Sequence, residues 1–192
     1  MPMSFDDLFK GVWTLWLIYW GISALGVKTA ARVESPGSRL GRHVIPLVVA
    51  VLLLHRYDWM NDTFLSERFV PDQAWMAWTG FGLTLIGLAF TCWARITLGR
   101  NWSGIVQLKQ DHELIVRGPY SWVRHPIYTG LLLAFLGTVL ANGEWHALIG
   151  VPLVAFAFWR KLRLEERWLC ELFGDQYRAY MHRVKALVPG VL

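Results

Sequence analysis

Long apolar stretches alternate with short polar segments along this chain, and the charged residues are confined almost entirely to the polar segments. Crossing a bilayer takes about 20 apolar residues in a helix. The pattern therefore predicts five membrane-spanning helices, over about residues 11–27, 41–58, 74–94, 126–142 and 144–160. The second is the weakest candidate, because its short apolar core lies between two histidines. Asn142-Gly143 predicts a tight turn between the last two helices.

The lysines and arginines predict how this bundle is oriented. Sixteen of the nineteen lie between the first and second spans, between the third and fourth, or after the fifth. Because basic residues collect on the cytoplasmic side, we expect the amino terminus outside and the carboxyl terminus in the cytoplasm. The net charge of +5 follows from this topology, so the lipid bilayer is the expected partner and nucleic acid is not. We expect one domain over residues 1–192, an all-α integral membrane helical bundle.

Composition supports a membrane protein and indicates few reactive groups. Twelve tryptophans and only 17% charged residues are unusual for a soluble domain. Cys92 and Cys170 are far apart and lack a companion pattern, so we expect neither a disulfide framework nor a metal site.

Asp6 and Asp7 replace the basic start of a signal peptide, so the first apolar run is predicted to be a retained helix. Small residues in the third span suit helix packing within one chain or between two, which leaves the oligomeric state open.

The stretch RGPYSWVRHPIYTG, residues 117–130, concentrates polar groups directly before the fourth span. Pro126 suits the first position of a helix, where its missing N–H costs nothing. Free backbone N–H groups at such a helix start, together with the helix dipole, attract an anionic group such as a carboxylate. Arg124 and His125 precede that start, and Tyr128 lies just inside it. Two interpretations are open here: one wall of a pocket, or a positively charged flank with Tyr128 as an interfacial anchor.

A second polar stretch, RKLRLEERWLCELFGDQYRAY at residues 160–180, follows the fifth span. Its apolar residues recur at helical spacing, which predicts that the fifth helix continues into the cytoplasm as an amphipathic helix and breaks at Gly174. Glu165 and Glu166 lie at membrane depth, where uncompensated acids are costly. They are candidates for binding a polar ligand, although pairing with neighbouring arginines is the simpler alternative.

These two stretches resemble the isoprenylcysteine carboxyl methyltransferase family, part of a wider group of integral membrane methyltransferases that includes phospholipid N-methyltransferases. GPYSWVRHPIYTG and LEERWLCELFGDQYRAY carry the resemblance, which extends over about residues 95–190. It implies a helical membrane bundle with a cytoplasm-facing pocket. It also implies that S-adenosylmethionine is enclosed between the motif loop and the carboxyl-terminal helix.

The resemblance implies roles for residues of both motifs. The residues expected to bind the cofactor are Gly118, Pro119, Tyr120, Arg124, His125, Pro126, Tyr128, Gly130, Glu165 and Glu166. The weaker candidates are Tyr177, Tyr180 and His112. The glutamates are expected to accept hydrogen bonds from ribose hydroxyls, and Arg124 or His125 to hold the carboxylate of the cofactor. For the acceptor carboxylate we expect a cation from Arg163 or Arg167, as the catalytic residues.

The expected activity is methyl transfer to the carboxylate of an isoprenylated cysteine or a similar membrane-borne acid. An ionised carboxylate needs no general base, so catalysis would depend on alignment and desolvation. The alternative is N-methylation of a phosphatidylethanolamine-type lipid. An amine acceptor requires a base and acidic surroundings, whereas arginines flank the glutamates in this sequence. An NADPH-dependent membrane reductase ranks lower because the sequence has no phosphate-binding glycine loop. A non-enzymatic membrane scaffold is a fourth hypothesis.

Overall fold

The computed structural model describes residues 5–25, 27–28, 30–102, 107–109 and 113–191. Within these residues the α-helices are α1 (Phe5–Ser23), α2 (Pro36–Arg39), α3 (Ile45–Leu52), α4 (Ala74–Leu98), α5 (Pro126–Asn142), α6 (Trp145–Phe173) and α7 (Asp175–Arg183). Two short strands, β1 (Ala30–Val33) and β2 (Gln107–Lys109), pair antiparallel. The fold is helical, as predicted, apart from this small ladder, whose strands are too short to show the alternating pattern of a sheet.

Helices α4 and α5 form a close antiparallel pair whose contact depends on glycines. A Cβ placed on Gly87 would lie 2.5 Å from the carbonyl oxygen of Gly130, and one on Gly130 would lie 2.6 Å from that of Gly87. Gly80 and Gly137 approach each other in the same way farther along the pair. Without side chains at these four positions the two backbones touch directly. The small residues of the third predicted span therefore pack within one chain.

The turn between α5 and α6 is formed by the predicted Asn142-Gly143 pair. Helix α5 ends at Asn142, and Gly143 adopts a left-handed φ of 76° while its N–H donates to Val139 O at 2.8 Å. Helix α6 starts two residues later and returns antiparallel to α5. The buried apolar core lies along this hairpin and the adjoining α3, with Phe135, Val139, Val154, Phe158 and Leu162 among its members.

Helix α6 is continuous well beyond the length that a bilayer requires. It runs over 29 residues to Phe173 and ends at Gly174, which has a φ of 54°. Helix α7 then follows. The helix thus ends at Gly174, where the sequence predicts a break, and it includes Glu165 and Glu166. The cytoplasmic location of this part stays a prediction.

The first two predicted spans lie closer to the amino terminus in the structure than the apolar pattern indicated. Helix α1 covers Phe5–Ser23 where 11–27 was predicted, because the acidic residues of its first turn suit the positive end of the helix dipole. Where a second span was predicted over 41–58, the structure has helical residues from 36 to 52, made of α2, a π-helical segment (Leu40–Val44) and α3. The chain turns after Leu52, and residues 53–57 are not helical.

Large apolar side chains are exposed over much of the bundle, which fits a surface that faces lipid. Among the described residues, one helix, 74–101, is long and apolar enough to cross a bilayer by length and composition, and α5 is a shorter apolar helix. Trp75 and Trp93 are exposed near the two ends of α4, where aromatic residues meet a membrane interface. The count of five spans and their orientation stay predictions.

Helix α1 contacts the α4–α5 pair through an aromatic face. The indole N–H of Trp13 donates to Thr138 Oγ1 at 3.1 Å, and that of Trp16 donates to Thr91 Oγ1 at 2.7 Å. Phe5 packs edge-on against Trp78 with ring centroids 5.0 Å apart. These contacts leave α1 as one wall of a large space between the helices.

Candidate active site

A buried ionic cluster joins the two sequence motifs. Glu166 Oε1 lies 2.7 Å from Arg124 Nη2 and 3.2 Å from His125 Nε2, and Arg124 Nε donates to the same oxygen at 2.9 Å. The arginine and glutamate side chains are only 9% and 7% exposed. Burial raises the pKa of Glu166, but the hydrogen bonds and charges of His125 and Arg124 outweigh burial, and the net shift of this pKa is downward. The carboxyl group is therefore held in its ionised form.

The segment that follows α7 completes this cluster from the other side. Arg124 Nη1 donates to the carbonyl oxygen of Val184, the backbone N–H of Arg124 donates to Lys185 O at 2.8 Å, and the N–H of His125 donates to Ala186 O at 3.0 Å. These two N–H groups, which precede the first turn of α5, are thus bonded within the chain. The sequence carried no signal for this return of the carboxyl-terminal segment.

Glu165 faces a different direction from its neighbour. Its Oε1 accepts a hydrogen bond from the Tyr128 hydroxyl at 2.7 Å, and its Oε2 lies 3.6 Å from His125 Nδ1. The rings of His125 and Tyr128 stack with centroids 5.5 Å apart. Because consecutive helical residues point about 100° apart, the adjacent glutamates have separate surroundings. Glu166 pairs with Arg124, and Glu165 presents its carboxylate to a cavity.

This cavity has a volume of about 1220 Å³ and runs between the helices. The predicted site residues that line it are Tyr120, Arg124, His125, Tyr128 and Glu165. Side chains that were not among the predicted site residues line the same end, namely Asn101, Trp102, Lys161, Trp168 and Leu169. This end of the cavity therefore combines aromatic surfaces with positively and negatively charged groups.

Lys161 supplies a cation at this end of the cavity, where the sequence predicted Arg163 or Arg167. Lys161 Nζ lies 5.4 Å from the centroid of the Tyr128 ring, one helical turn before Glu165. Arg163 and Arg167 are exposed, and neither lines this cavity. Their positions do not support a catalytic role, because closeness in sequence to the glutamates ignores the angular spacing of a helix. Lys161 and Glu165 are four residues apart, and this interval in the sequence indicates that both lie on the same face of the helix.

Four further residues predicted to bind the cofactor shape the backbone without lining the cavity: Gly118, Pro119, Pro126 and Gly130. Gly118 has a φ of 59° where a 3₁₀ turn begins. Pro119 and Pro126 are fully buried, and Pro126 starts α5 as predicted. Gly130 lies against α4, so its missing side chain admits a neighbouring helix rather than a ligand.

The weaker candidates on α7, Tyr177 and Tyr180, are buried, and Tyr180 bonds to the first motif. The hydroxyl of Tyr180 donates to the carbonyl oxygen of Tyr120, and Tyr177 is only 2% exposed. Burial raises the pKa of Tyr180 to about 12 and raises the pKa of Tyr177 as well, so both phenols stay neutral. Neither lines the cavity. His112 lies outside the described residues.

The helical fold, with an ionic pocket at the end of an interhelical cavity, is similar to that of a solved membrane methyltransferase. The chain superimposes with a TM-score of 0.57 on the solved structure of a eukaryotic intramembrane Ras methyltransferase, an isoprenylcysteine carboxyl methyltransferase. The two are 22% identical in sequence, and the match covers 83% of this chain and 55% of that one.

Residues 79–171 match the sequence profile of the isoprenylcysteine carboxyl methyltransferase family. The resemblance inferred from the two motifs is thereby confirmed. Protein-S-isoprenylcysteine O-methyltransferase B of Arabidopsis thaliana is 29% identical over 178 residues, which cover 88% of this chain and 85% of the plant protein.

Protein-S-isoprenylcysteine O-methyltransferases of vertebrates are similar as well. The protein of Xenopus laevis is 31% identical over 70% of this chain, and that of Homo sapiens is 29% identical over 80% of it. The matches span only 48% of the frog protein and 55% of the human protein. The chain thus spans about half the length of these two relatives.

Proposed function

We propose that this chain is an O-methyltransferase that uses S-adenosylmethionine to methylate the carboxylate of a lipid-bearing cysteine or a similar membrane-borne acid. The observation that carries the proposal is the position of Lys161 and Glu165, which both face the end of a long cavity with largely apolar walls. A cation suited to the acceptor and an anion suited to the methyl donor thus lie together. The names of the relatives, protein-S-isoprenylcysteine O-methyltransferases, support the same reaction.

The residues at this end of the cavity fit the methyl donor. S-adenosylmethionine, when bound, supplies an electrophilic methyl group on a positively charged sulfur. The Glu165 carboxylate, with His125 close to it, is positioned to accept hydrogen bonds from hydroxyl or ammonium groups. Tyr120, Trp102 and Trp168 offer aromatic surface of the kind that a purine ring stacks on. We therefore assign the donor to the space between the motif loop and α6.

Arg124 and Glu166 are positioning residues in this proposal. The guanidinium of Arg124 is engaged by the Glu166 carboxylate and the Val184 carbonyl, although the side chain reaches the cavity wall. Its role is to hold His125 and the start of α5 against α6. This replaces the expectation that Arg124 binds the carboxylate of the cofactor.

Lys161 is the group that we assign to the acceptor carboxylate. Burial lowers the pKa of Lys161 and outweighs the opposing charges of Glu165 and Glu34. A cation in such surroundings attracts a carboxylate more strongly than one in water does. The acceptor is already ionised, so the protein needs to align it and to exclude water rather than to remove a proton.

The same lysine weighs against the alternative of phospholipid N-methylation. An amine acceptor is cationic until it loses a proton, and Lys161 beside it adds repulsion. Glu165 is the nearest carboxylate in the cavity, and we assign it to the methyl donor. The geometry therefore favours an anionic acceptor.

The test is a labelled methyl-transfer assay that offers a prenylcysteine analogue and phosphatidylethanolamine to the same purified protein. We expect the label on the prenylcysteine carboxylate. Lys161→Met should abolish transfer and Lys161→Arg should retain part of it, whereas Arg163→Met, an exposed control two residues away, should leave it unchanged. Methylation of the lipid amine alone would refute the proposal, and equal activity of Lys161→Met and the wild type would refute the role of the lysine.

The orientation is part of the same proposal. The basic residues of the segments around the pocket support a cytoplasmic site and an amino terminus on the other side. Single cysteines placed at Asp6 and Arg183 in a chain without its own cysteines test it. A membrane-impermeant maleimide applied to intact cells should label position 6 and spare position 183, and the reverse pattern would overturn the orientation.

A further inference from the structure

The cavity has a second polar end that the proposed methyl transfer does not use. At the end away from Lys161, three cationic side chains from three separate parts of the chain line it. Lys10 comes from α1, Arg56 from the segment after α3, and Arg68 from the segment before α4. Long-range folding has to bring these charges together, since no local motif contains more than one of them.

Fewer acidic than cationic side chains line this end, and the Glu144 carboxylate already bonds to two side chains of the protein. Glu144 Oε1 lies 3.3 Å from Arg56 Nη1, while Glu144 Oε2 lies 2.8 Å from Nε2 of the buried His146. The other ring nitrogen of His146 lies 2.6 Å from the carbonyl oxygen of Leu53. Asp6 is the other acidic residue among those described that line the cavity at this end. Arg68 also lies 3.7 Å from Asp72, but that carboxylate is 87% exposed and does not line the cavity. In the lining itself three cations face two acidic side chains, which favours an anion.

Apolar surface connects this basic end with the ionic pocket. Helix α5 lines the cavity from Tyr128 to Asn142, a length of about 21 Å at 1.5 Å per residue. The walls between these points are formed by apolar side chains, among them Leu17, Leu47, Val51, Leu131 and Phe135. A small inorganic anion would cover none of this surface, so the complementary ligand has an anionic head and an apolar chain.

We propose that this end of the cavity binds an anionic phospholipid, with its phosphate near Lys10, Arg56 and Arg68 and one acyl chain in the apolar space. The lipid would enter from the side of the bundle opposite to Lys161. Its chain would then share the cavity with the apolar tail of any ligand bound at the other end. This binding site does not depend on the proposed methyl transfer, and its test does not use that reaction.

Native mass spectrometry of the full-length protein in a neutral detergent tests the site directly. The protein is titrated with phosphatidylglycerol, with phosphatidylcholine of the same acyl chains, and with inorganic phosphate. We expect phosphatidylglycerol to be retained at concentrations about tenfold lower than phosphatidylcholine, since two or three cations contribute to holding the phosphate. Inorganic phosphate should not displace it, because the apolar chain supplies much of the binding.

Matched variants separate the site from general attraction to the protein surface. Lys10→Gln with Arg56→Gln should remove the preference for phosphatidylglycerol, whereas Lys10→Arg with Arg56→Lys should keep it and so exclude misfolding as the cause. Arg183→Gln removes an exposed cation on α7, outside the cavity, and should change nothing. Equal retention of the two lipids by the wild type, an unaltered preference in the double glutamine variant, or full displacement by inorganic phosphate would each overturn the proposal.

Discussion

The carboxylate of Glu166 lies 2.7 Å from the guanidinium of Arg124, although 42 residues separate the two along the chain. Both side chains are largely buried, so protein groups rather than water compensate their charges. The pair holds the start of α5 against α6, and His125 bonds to the same carboxylate oxygen. The geometry of the candidate active site depends on this contact.

Removal of one partner of this pair should be strongly destabilising. Arg124→Gln leaves the Glu166 carboxylate buried without its closest cation, and we expect a loss of about 3–5 kcal/mol in the free energy of unfolding. Adding Glu166→Gln to that variant should recover part of the loss. Denaturant unfolding in detergent measures both effects.

A second arginine serves as the control for that comparison. Arg178 pairs with Asp175 at 2.6 Å, but the aspartate side chain is 98% exposed. Arg178→Gln should therefore cost less than about 1 kcal/mol. Similar losses for the two arginine variants would show that burial does not decide the strength of the Arg124 pair.

The lowered pKa of Glu166 predicts a loss of stability in acid. A carboxyl whose pKa is lower in the folded than in the unfolded state stabilises the fold above its unfolded pKa, and this stabilisation is lost as the pH falls through its folded pKa. The melting temperature of the wild type should therefore fall as the pH drops below the ordinary range of a glutamate. Glu166→Gln should show a smaller fall over the same interval, and parallel curves for the two proteins would contradict the assignment.

The lowered pKa of Lys161 predicts that binding of the acceptor weakens in alkali. The ammonium loses its proton at a lower pH than an ordinary lysine, so the KM for a carboxylate acceptor should rise by about tenfold or more as the pH increases through that pKa. Lys161→Arg should move this rise to higher pH, because a guanidinium stays protonated. The affinity for S-adenosylmethionine, measured by calorimetry, should stay constant over the same range in both proteins. A KM profile that Lys161→Arg leaves unchanged would assign the titration to another group.

The contact between α4 and α5 predicts opposite effects for two glycines on one helix. A Cβ on Gly87 would meet the backbone of α5 at 2.5 Å, so Gly87→Ala should destabilise the fold by about 1–3 kcal/mol. Gly82 lies on the same helix with nothing within 4 Å of its Cβ position. Gly82→Ala should therefore be neutral or raise stability by up to about 1 kcal/mol through helix propensity. Thermal unfolding of the two variants in the same detergent compares them, and an equal loss would disprove the close contact.

Much of the local structure follows from signals that lie within a few residues of each other. Pro126 starts a helix, Gly143 and Gly174 end helices, and each does so in the structure as predicted. Helix ends with weaker signals were displaced, as at the second predicted span, where the apolar run continues beyond the end of α3 at Leu52. A run of apolar residues does not by itself mark the residue at which a helix stops.

Which side chains reach the cavity was predicted less well, for a different physical reason. Arg163 and Arg167 have the right chemistry but lie on the exposed side of α6, and Lys161 faces the cavity instead. Gly130 lies within the motif, yet its missing side chain serves the contact with α4. The sequence shows which residues share a helix face, but it does not show which neighbour that face meets.

The sequence by itself determined the apolar segments, the turns at Gly143 and Gly174, and the two motifs that carry the resemblance to a known family. Each of these depends on residues close together in the chain. Only the tertiary structure decided that Glu166 pairs with Arg124 while Glu165 faces the cavity. It also decided that the segment after α7 bonds to the start of α5. These features depend on contacts between residues far apart in sequence, which arise only when packing of the helices sets the angle and depth of each face.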